Sequence, residues 1–75
     1  MKWTITIDRN GMSEIEQDNY TQCYEDCLAG ASDALAGWLR FEEQEYLSDA
    51  AVARWACIYL TAYRDALKEL ARRAE

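Results

Sequence analysis

The sequence has no proline and no histidine, and only three of its 75 residues are glycine. The scarcity of helix-breaking residues favours long helices joined by few loops. Zinc sites normally take four ligands from cysteine and histidine, so the absence of histidine disfavours such a site. The longest stretch without a charge, residues 55–63, has nine residues, whereas a membrane-spanning helix needs about 20. The sequence therefore predicts a helical protein that does not cross a membrane.

Export signals are also lacking, because the N-terminal MKWTITID reaches the charged Asp8 after five uncharged residues. That run is shorter than the hydrophobic region of a signal peptide, which has roughly 7 to 15 residues. The chain has three cysteines, an odd number for a set of structural disulfides. We therefore expect reduced thiols and a cytoplasmic location.

The overall composition is that of a folded protein. Hydrophobic residues make up 51% of the sequence and charged residues 29%, which is typical of a globular domain rather than of a disordered acidic tail. The length predicts one domain over residues 1–75 with a small core.

Acidic residues dominate the first two thirds of the chain. Residues 8–49 contain eleven acidic and two basic side chains, whereas residues 50–75 contain five basic and three acidic ones, and the net charge is −6. Such a surface would repel a phosphate backbone, which disfavours direct nucleic-acid binding. A basic protein is the complementary partner.

The N-terminal residues have the pattern of a strand. Trp3, Ile5 and Ile7 alternate with polar side chains, which predicts a half-buried strand. The following Asn10-Gly11 pair is typical of a hairpin turn, since both residues tolerate a positive φ. We expect a β-element over about residues 2–16.

An alternative for the end of this segment is a helix that begins after Ser13, because Ser13 and Glu16 have capping-box spacing. Helical phase would then place Ile15 on the polar side and Glu16 on the apolar side. We therefore expect the first helix to begin near Asn19, and leave residues 12–18 as strand or loop.

Apolar side chains recur with helical spacing over about residues 19–40 and 49–73. Gly30 and Gly37 lie near the boundary between the two faces of the first helix, where they indicate close packing or a slight bend. The predicted fold is α+β and helix-dominated, with a short N-terminal β-strand or hairpin packed on two long antiparallel helices.

The cysteines do not form a convincing chemical site. Cys23 and Cys27 lie on the apolar side of the first helix, where free cysteine behaves as a small hydrophobic residue. A redox or disulfide role is the alternative. The chain has no nucleophile–base pair and no glycine-rich phosphate loop, so we expect neither an enzyme nor a bound cofactor or metal.

Binding of a protein partner is the function that the charge pattern favours. We expect exposed carboxylates to supply the charge and an aromatic residue to serve as an anchor. The predicted partner-binding residues are Glu25, Asp26, Asp33, Glu42, Glu43, Glu45 and Tyr46. Cys57 and Ile58, on the otherwise charged side of the second helix, are candidates for an exposed dimer seam.

In its overall character the chain resembles the small acidic inhibitors that phages encode, and the anti-CRISPR proteins most of all. The resemblance rests on small size, negative charge, absence of proline and lack of catalytic motifs, and no functional residue is carried over from it. It implies a protein that binds a Cas complex subunit in the host cytoplasm.

Two functions follow from this sequence. The first is a non-enzymatic inhibitor, encoded by a phage, whose acidic surface occupies a basic nucleic-acid-binding groove of its target. The second is a structural or regulatory subunit, either antitoxin-like or a homodimeric helical module, whose acidic face serves only solubility.

Overall fold

The computed structural model describes residues 5–41 and 46–74, apart from the side chain of Ala31. A 3₁₀ turn over Arg9–Gly11 precedes two helices, α1 over Glu14–Trp38 and α2 over Asp49–Ala74. These described residues are all helical or irregular and contain no strand. The expected α+β fold with an N-terminal β-strand is therefore wrong, although Trp3 of that strand lies outside the described residues.

Within the described residues, the segment before α1 makes its hydrogen bonds with α1, with α2 and with itself, and not with another strand. The Ile7 N–H donates to Thr61 Oγ1 at 3.0 Å, and Arg64 Nη1 donates to Thr6 Oγ1 at 3.1 Å. The Asn10-Gly11 pair forms the 3₁₀ turn rather than a hairpin, with the Gly11 N–H donating to the Asp8 carbonyl at 2.9 Å. Alternation of polar and apolar side chains does not by itself produce a strand, because a strand also needs a neighbouring strand to accept and donate its backbone hydrogen bonds.

Helix α1 begins at Glu14, five residues before the predicted start near Asn19. Ser13 caps it with a full capping box, in which the Glu16 N–H donates to Ser13 Oγ at 3.2 Å and the Ser13 N–H to Glu16 Oε1 at 2.8 Å. Glu16 does face α2, as its helical phase requires, but there it meets Arg54 at 2.7 Å. A basic partner on the facing helix makes the supposedly apolar position suitable for a carboxylate.

Helix α1 is sharply bent between Asp26 and Trp38. The Trp38 Nε1–H donates to Asp26 Oδ2 at 2.9 Å. In a straight helix the backbone positions of these two residues would lie about 18 Å apart along the axis, which is more than the two side chains can span. Gly30 and Ser32 lie in this interval, and glycine and serine are common at helix kinks. After the bend the chain returns to α2, where the rings of Trp38 and Phe41 contact that of Tyr59.

The first part of α1 and α2 run in the same general direction. Glu16 pairs with Arg54, and four residues later the Tyr20 hydroxyl donates to Asp65, eleven residues further along α2. In an antiparallel pair the partner number would fall as the chain advances. The expected antiparallel pairing is therefore wrong for this part of α1, because the bend carries the chain back before α2 begins.

The core lies where α1, α2 and the N-terminal segment meet. Its buried members are Met12, Tyr20, Cys23, Cys27, Ile58, Tyr59, Thr61, Ala62 and Ala66. The buried Thr61 hydroxyl donates to the Cys57 carbonyl at 2.6 Å while it accepts from Ile7. Within residues 5–41 and 46–74, no helical segment combines the length and apolar character that a bilayer crossing requires.

The rotation of α2 about its axis differs from the prediction. Ile58 was expected to be exposed, but it is 0% exposed, and Cys57 is half-buried. Leu67, another apolar residue of α2, is 41% exposed. Apolar residues cover more than half of the circumference of α2, so the hydrophobic pattern alone did not determine which side would meet α1. The seam at Cys57 and Ile58 thus lacks its exposed apolar side chain.

Candidate protein-binding surface

Helix α1 carries six carboxylates and no basic residue. One of them, Glu16, pairs with Arg54 of α2. The other five are exposed, and none of them forms an ion pair within the described part of the chain. We call these five residues the acidic face of α1: Glu14, Asp18, Glu25, Asp26 and Asp33.

The position of this face follows from helical spacing. Tyr20, Cys23 and Cys27, spaced by three and four residues, form the buried side of α1. At about 100° per residue, Asp18 and Glu25 lie roughly 140° to 160° from Tyr20. Burial of the cysteine side therefore turns the carboxylates toward solvent.

Two of the predicted partner-binding residues line one groove on the inner side of the bend in α1. Asp26 and Asp33 lie there with Trp38, Arg40 and Tyr59. Asp26 accepts the hydrogen bond of the Trp38 indole, so one of its oxygens has a structural role. Asp33, seven residues along, has no such contact with another described residue that would hold its carboxylate.

The third predicted carboxylate of α1 lies apart from these two. Glu25 lines a groove between α1 and α2 together with Lys68 and Arg72 of the more basic helix. The guanidinium of Arg9 also reaches this groove and lies over the Tyr20 ring, 4.8 Å from its centre. The structure therefore separates Glu25 from Asp26 and Asp33, which the sequence had grouped.

The remaining predicted residues lie in the connection between the helices. Glu42, Glu43 and Glu45 fall outside the described residues. Tyr46, which follows them, is 84% exposed. An aromatic ring that is this exposed has the contact area that an interface anchor requires.

Sequence reasoning missed Glu14 and Asp18 of the acidic face. Both precede the predicted helix start near Asn19: Glu14 falls within the expected β-element over about residues 2–16, and Asp18 falls among residues 12–18, which were left as strand or loop. The capping-box spacing of Ser13 and Glu16 was the signal that could have found them, because a helix that starts at Glu14 adds one more turn of carboxylates.

Electrostatics distinguish Glu16 from the acidic face. The hydrogen bonds from Arg54, followed by the backbone hydrogen bond of Ser13, lower the pKa of Glu16 to about 2. Arg54 binds both carboxylate oxygens and also donates to the Gly11 carbonyl at 2.8 Å. Glu16 is therefore a structural link between α1, α2 and the 3₁₀ turn, and is not available to a partner.

The buried titratable groups are poorly suited to catalysis. Burial raises the pKa of the Cys23 and Cys27 thiols, whose sulfurs lie 4.0 Å apart, so both are protonated at neutral pH. Burial and the hydrogen bond to Asp65 raise the pKa of Tyr20. Among the described residues, no group of three or more cysteines and carboxylates is arranged to hold a metal ion.

Comparisons of this chain with protein-family models, with curated proteins and with solved structures give no match. What the described residues define is a class: a small all-helical protein in which one helix presents unpaired carboxylates and the other carries an excess of basic residues.

Proposed function

We propose that this protein is a non-enzymatic inhibitor that binds a basic protein through the acidic face of α1. The observation that carries the proposal is the charge of that helix, which has six carboxylates, no basic residue, and five carboxylates exposed without an ion pair among the described residues. A surface of this kind attracts lysine- and arginine-rich surfaces and accelerates their association.

The partner surface is a nucleic-acid-binding groove. Such grooves gather many lysine and arginine side chains, because they must neutralise a closely spaced row of phosphates. Carboxylates spaced along a helix offer the same sign of charge to the same groove. Binding of this protein would therefore exclude the nucleic acid, which inhibits the target without any catalytic step.

The resemblance to anti-CRISPR proteins narrows the partner to a Cas complex subunit in a cell infected by a phage. Tyr46 would serve as the aromatic anchor beside Glu42, Glu43 and Glu45. The charge steering comes from α1, and the anchor adds contact area at the end of the helix connection.

Capture from a bacterial lysate tests this proposal. The immobilised protein is expected to retain a nucleic-acid-binding protein that a salt gradient releases and that added DNA or RNA displaces. The triple variant Glu14→Gln, Asp18→Asn, Glu25→Gln is expected to lose at least about tenfold in affinity for that partner, from three charge contacts of roughly 0.5 kcal/mol each. Affinity is measured by biolayer interferometry, and circular dichroism verifies the fold.

The matched control raises the net charge by the same three units at exposed neutral positions elsewhere, with Asn10→Lys, Ala50→Lys and Ala74→Lys. This control is expected to bind much more tightly than the α1 variant. A separate reversal of Glu42, Glu43 and Glu45 to lysine tests the connection. If neither set of acidic substitutions weakens binding, the acidic surface serves solubility and the protein is a structural or regulatory subunit.

A further inference from the structure

Helix α2 has a second apolar side that α1 does not cover. Leu60, Tyr63, Leu67 and Ala71 recur at intervals of three and four residues and line one groove. Leu67 is 41% exposed, and Leu60 and Tyr63 are half-buried. The core residues of α2, such as Ala62 and Ala66, lie on another side. We call the groove formed by these four residues the α2 groove.

Basic side chains border the α2 groove on one flank. Arg64 and Lys68, four residues apart, line it together with the apolar residues. Arg64 is already engaged, since it pairs with Asp65 at 3.1 Å and donates to Thr6 Oγ1 at 3.1 Å. Lys68 is exposed and forms no ion pair within the described part of the chain. An apolar stripe with one basic flank is complementary to an amphipathic helix that carries carboxylates beside its own apolar stripe.

We infer that the α2 groove binds an amphipathic, acid-flanked helix of a different protein. The helix would place leucine-type side chains against Leu60 and Leu67, and a carboxylate next to Lys68. This surface is distinct from the acidic face of α1. The protein therefore has a basic and apolar docking site in addition to its acidic one.

A second copy of this chain is a poorer occupant. Two-fold antiparallel pairing of α2 helices would place Arg64 and Lys68 of one copy beside the same residues of the other. Like charges in that position repel, and the net charge of −6 on each chain adds to the repulsion. The charge of the flank thus favours an acidic partner over self-association.

Two synthetic helical peptides test this inference. Both carry leucine at the same intervals of three and four residues, and they differ only in having glutamate or lysine on the flanking positions. The protein is expected to bind the glutamate peptide about tenfold more tightly than the lysine peptide, since Lys68 attracts glutamate and repels lysine, and the two effects together amount to roughly 1.4 kcal/mol. Titration calorimetry at low salt measures both affinities.

Three variants make the test specific. Leu67→Asp is expected to abolish binding of both peptides, and Lys68→Glu is expected to remove the preference for the glutamate peptide. Ile15→Asp is the matched control, since Ile15 is a 65% exposed apolar residue on α1, and it is expected to bind as the unmodified protein does. Circular dichroism verifies that each variant is folded.

Equal affinity for the two peptides, or binding that Leu67→Asp leaves unchanged, would overturn the inference. A dimer in sedimentation that Leu67→Asp dissociates would assign the groove to a second copy instead. Peptide binding that requires removal of residues 1–4 would assign it to the N-terminus of this chain. Either outcome leaves the proposal about the acidic face of α1 unaffected, because Leu67→Asp and Lys68→Glu change residues of α2 only.

Discussion

At the scale of single residues, the Glu16 carboxylate joins the two helices. It accepts from the Ser13 backbone and from Arg54, so that it caps α1 and links that helix to α2. The Glu16 side chain is 14% exposed and that of Arg54 is 46% exposed, so solvent screens the pair in part. One carboxylate thereby determines both where α1 begins and how it contacts α2.

The pH dependence of stability follows from the same contacts. The pKa of Glu16 in the folded protein is about 2, below its ordinary value of 4.5. A depressed pKa means that the stabilisation is fully present above pH 4.5 and is lost as the pH falls toward 2. Glu16→Gln is expected to lower the free energy of unfolding at pH 7 by about 1 kcal/mol. It is also expected to flatten the pH dependence between 4.5 and 2.

Urea denaturation at pH 7 and at pH 2.5 measures this effect. Glu14→Gln is the control, because Glu14 is in the same first turn but is exposed and has no ion pair among the described residues. Glu69, whose pKa Arg72 and Arg73 also lower to about 2, contributes equally in both variants. A Glu16→Gln protein that loses stability in parallel with the unmodified one as the pH falls would contradict the assignment.

At the scale of helices, periodicity predicted the existence and approximate length of both. The predicted second helix over about residues 49–73 agrees with Asp49–Ala74 to one residue. The strand pattern of Ile5 and Ile7 misled because β-propensity reflects packing against neighbours. The size of the bend in α1 could not be predicted from the sequence. Small residues such as Gly30 permit a bend, but its angle depends on the packing of Trp38 on Tyr59.

The acidic site was predictable only in part, for a similar reason. Composition identified α1 as acidic, and Asp26 and Asp33 do lie together. The side of a helix on which a residue lies depends on its rotation against its neighbour, and for α2 two apolar sides competed. The buried Ile58 and the exposed Leu67 show which side packs in the core.

Two truncations measure the rotation of α2. Ile58→Ala is expected to cost about 2 to 4 kcal/mol of unfolding free energy, since it leaves a cavity at a fully buried position. Leu67→Ala is expected to cost less than about 1 kcal/mol, because Leu67 is 41% exposed and its truncation leaves no enclosed cavity. Chemical denaturation compares them, and Ile58→Val serves as a milder probe if the alanine variant fails to fold. Equal costs would mean that α2 is rotated differently.

At the scale of the whole molecule, the three thiols report on global opening. Cys23 and Cys27 are 0% exposed, and burial raises the pKa of each. Cys57 is half-buried near the surface of α2. Access to the two buried sulfurs therefore requires α1 to separate from α2.

Native alkylation is expected to modify Cys57 alone. Maleimide treatment at pH 7 should give one adduct by mass spectrometry in native buffer and three in denaturant. Cys57→Ser should give none under native conditions and two after unfolding. Rapid modification of Cys23 or Cys27 in native buffer would show that the helices separate readily. It would also favour the alternative that the two cysteines have a redox role.

The bend in α1 has a further consequence for how the chain reaches this structure. Because the chain doubles back before α2 begins, the side-chain contacts between the first part of α1 and α2 join residues 36 to 45 positions apart, and Ile7 meets Thr61 across 54. Such distant contacts make folding slower than that of an ordinary helical hairpin of the same size. During synthesis, the apolar side of α1 therefore stays unburied until most of α2 has left the ribosome.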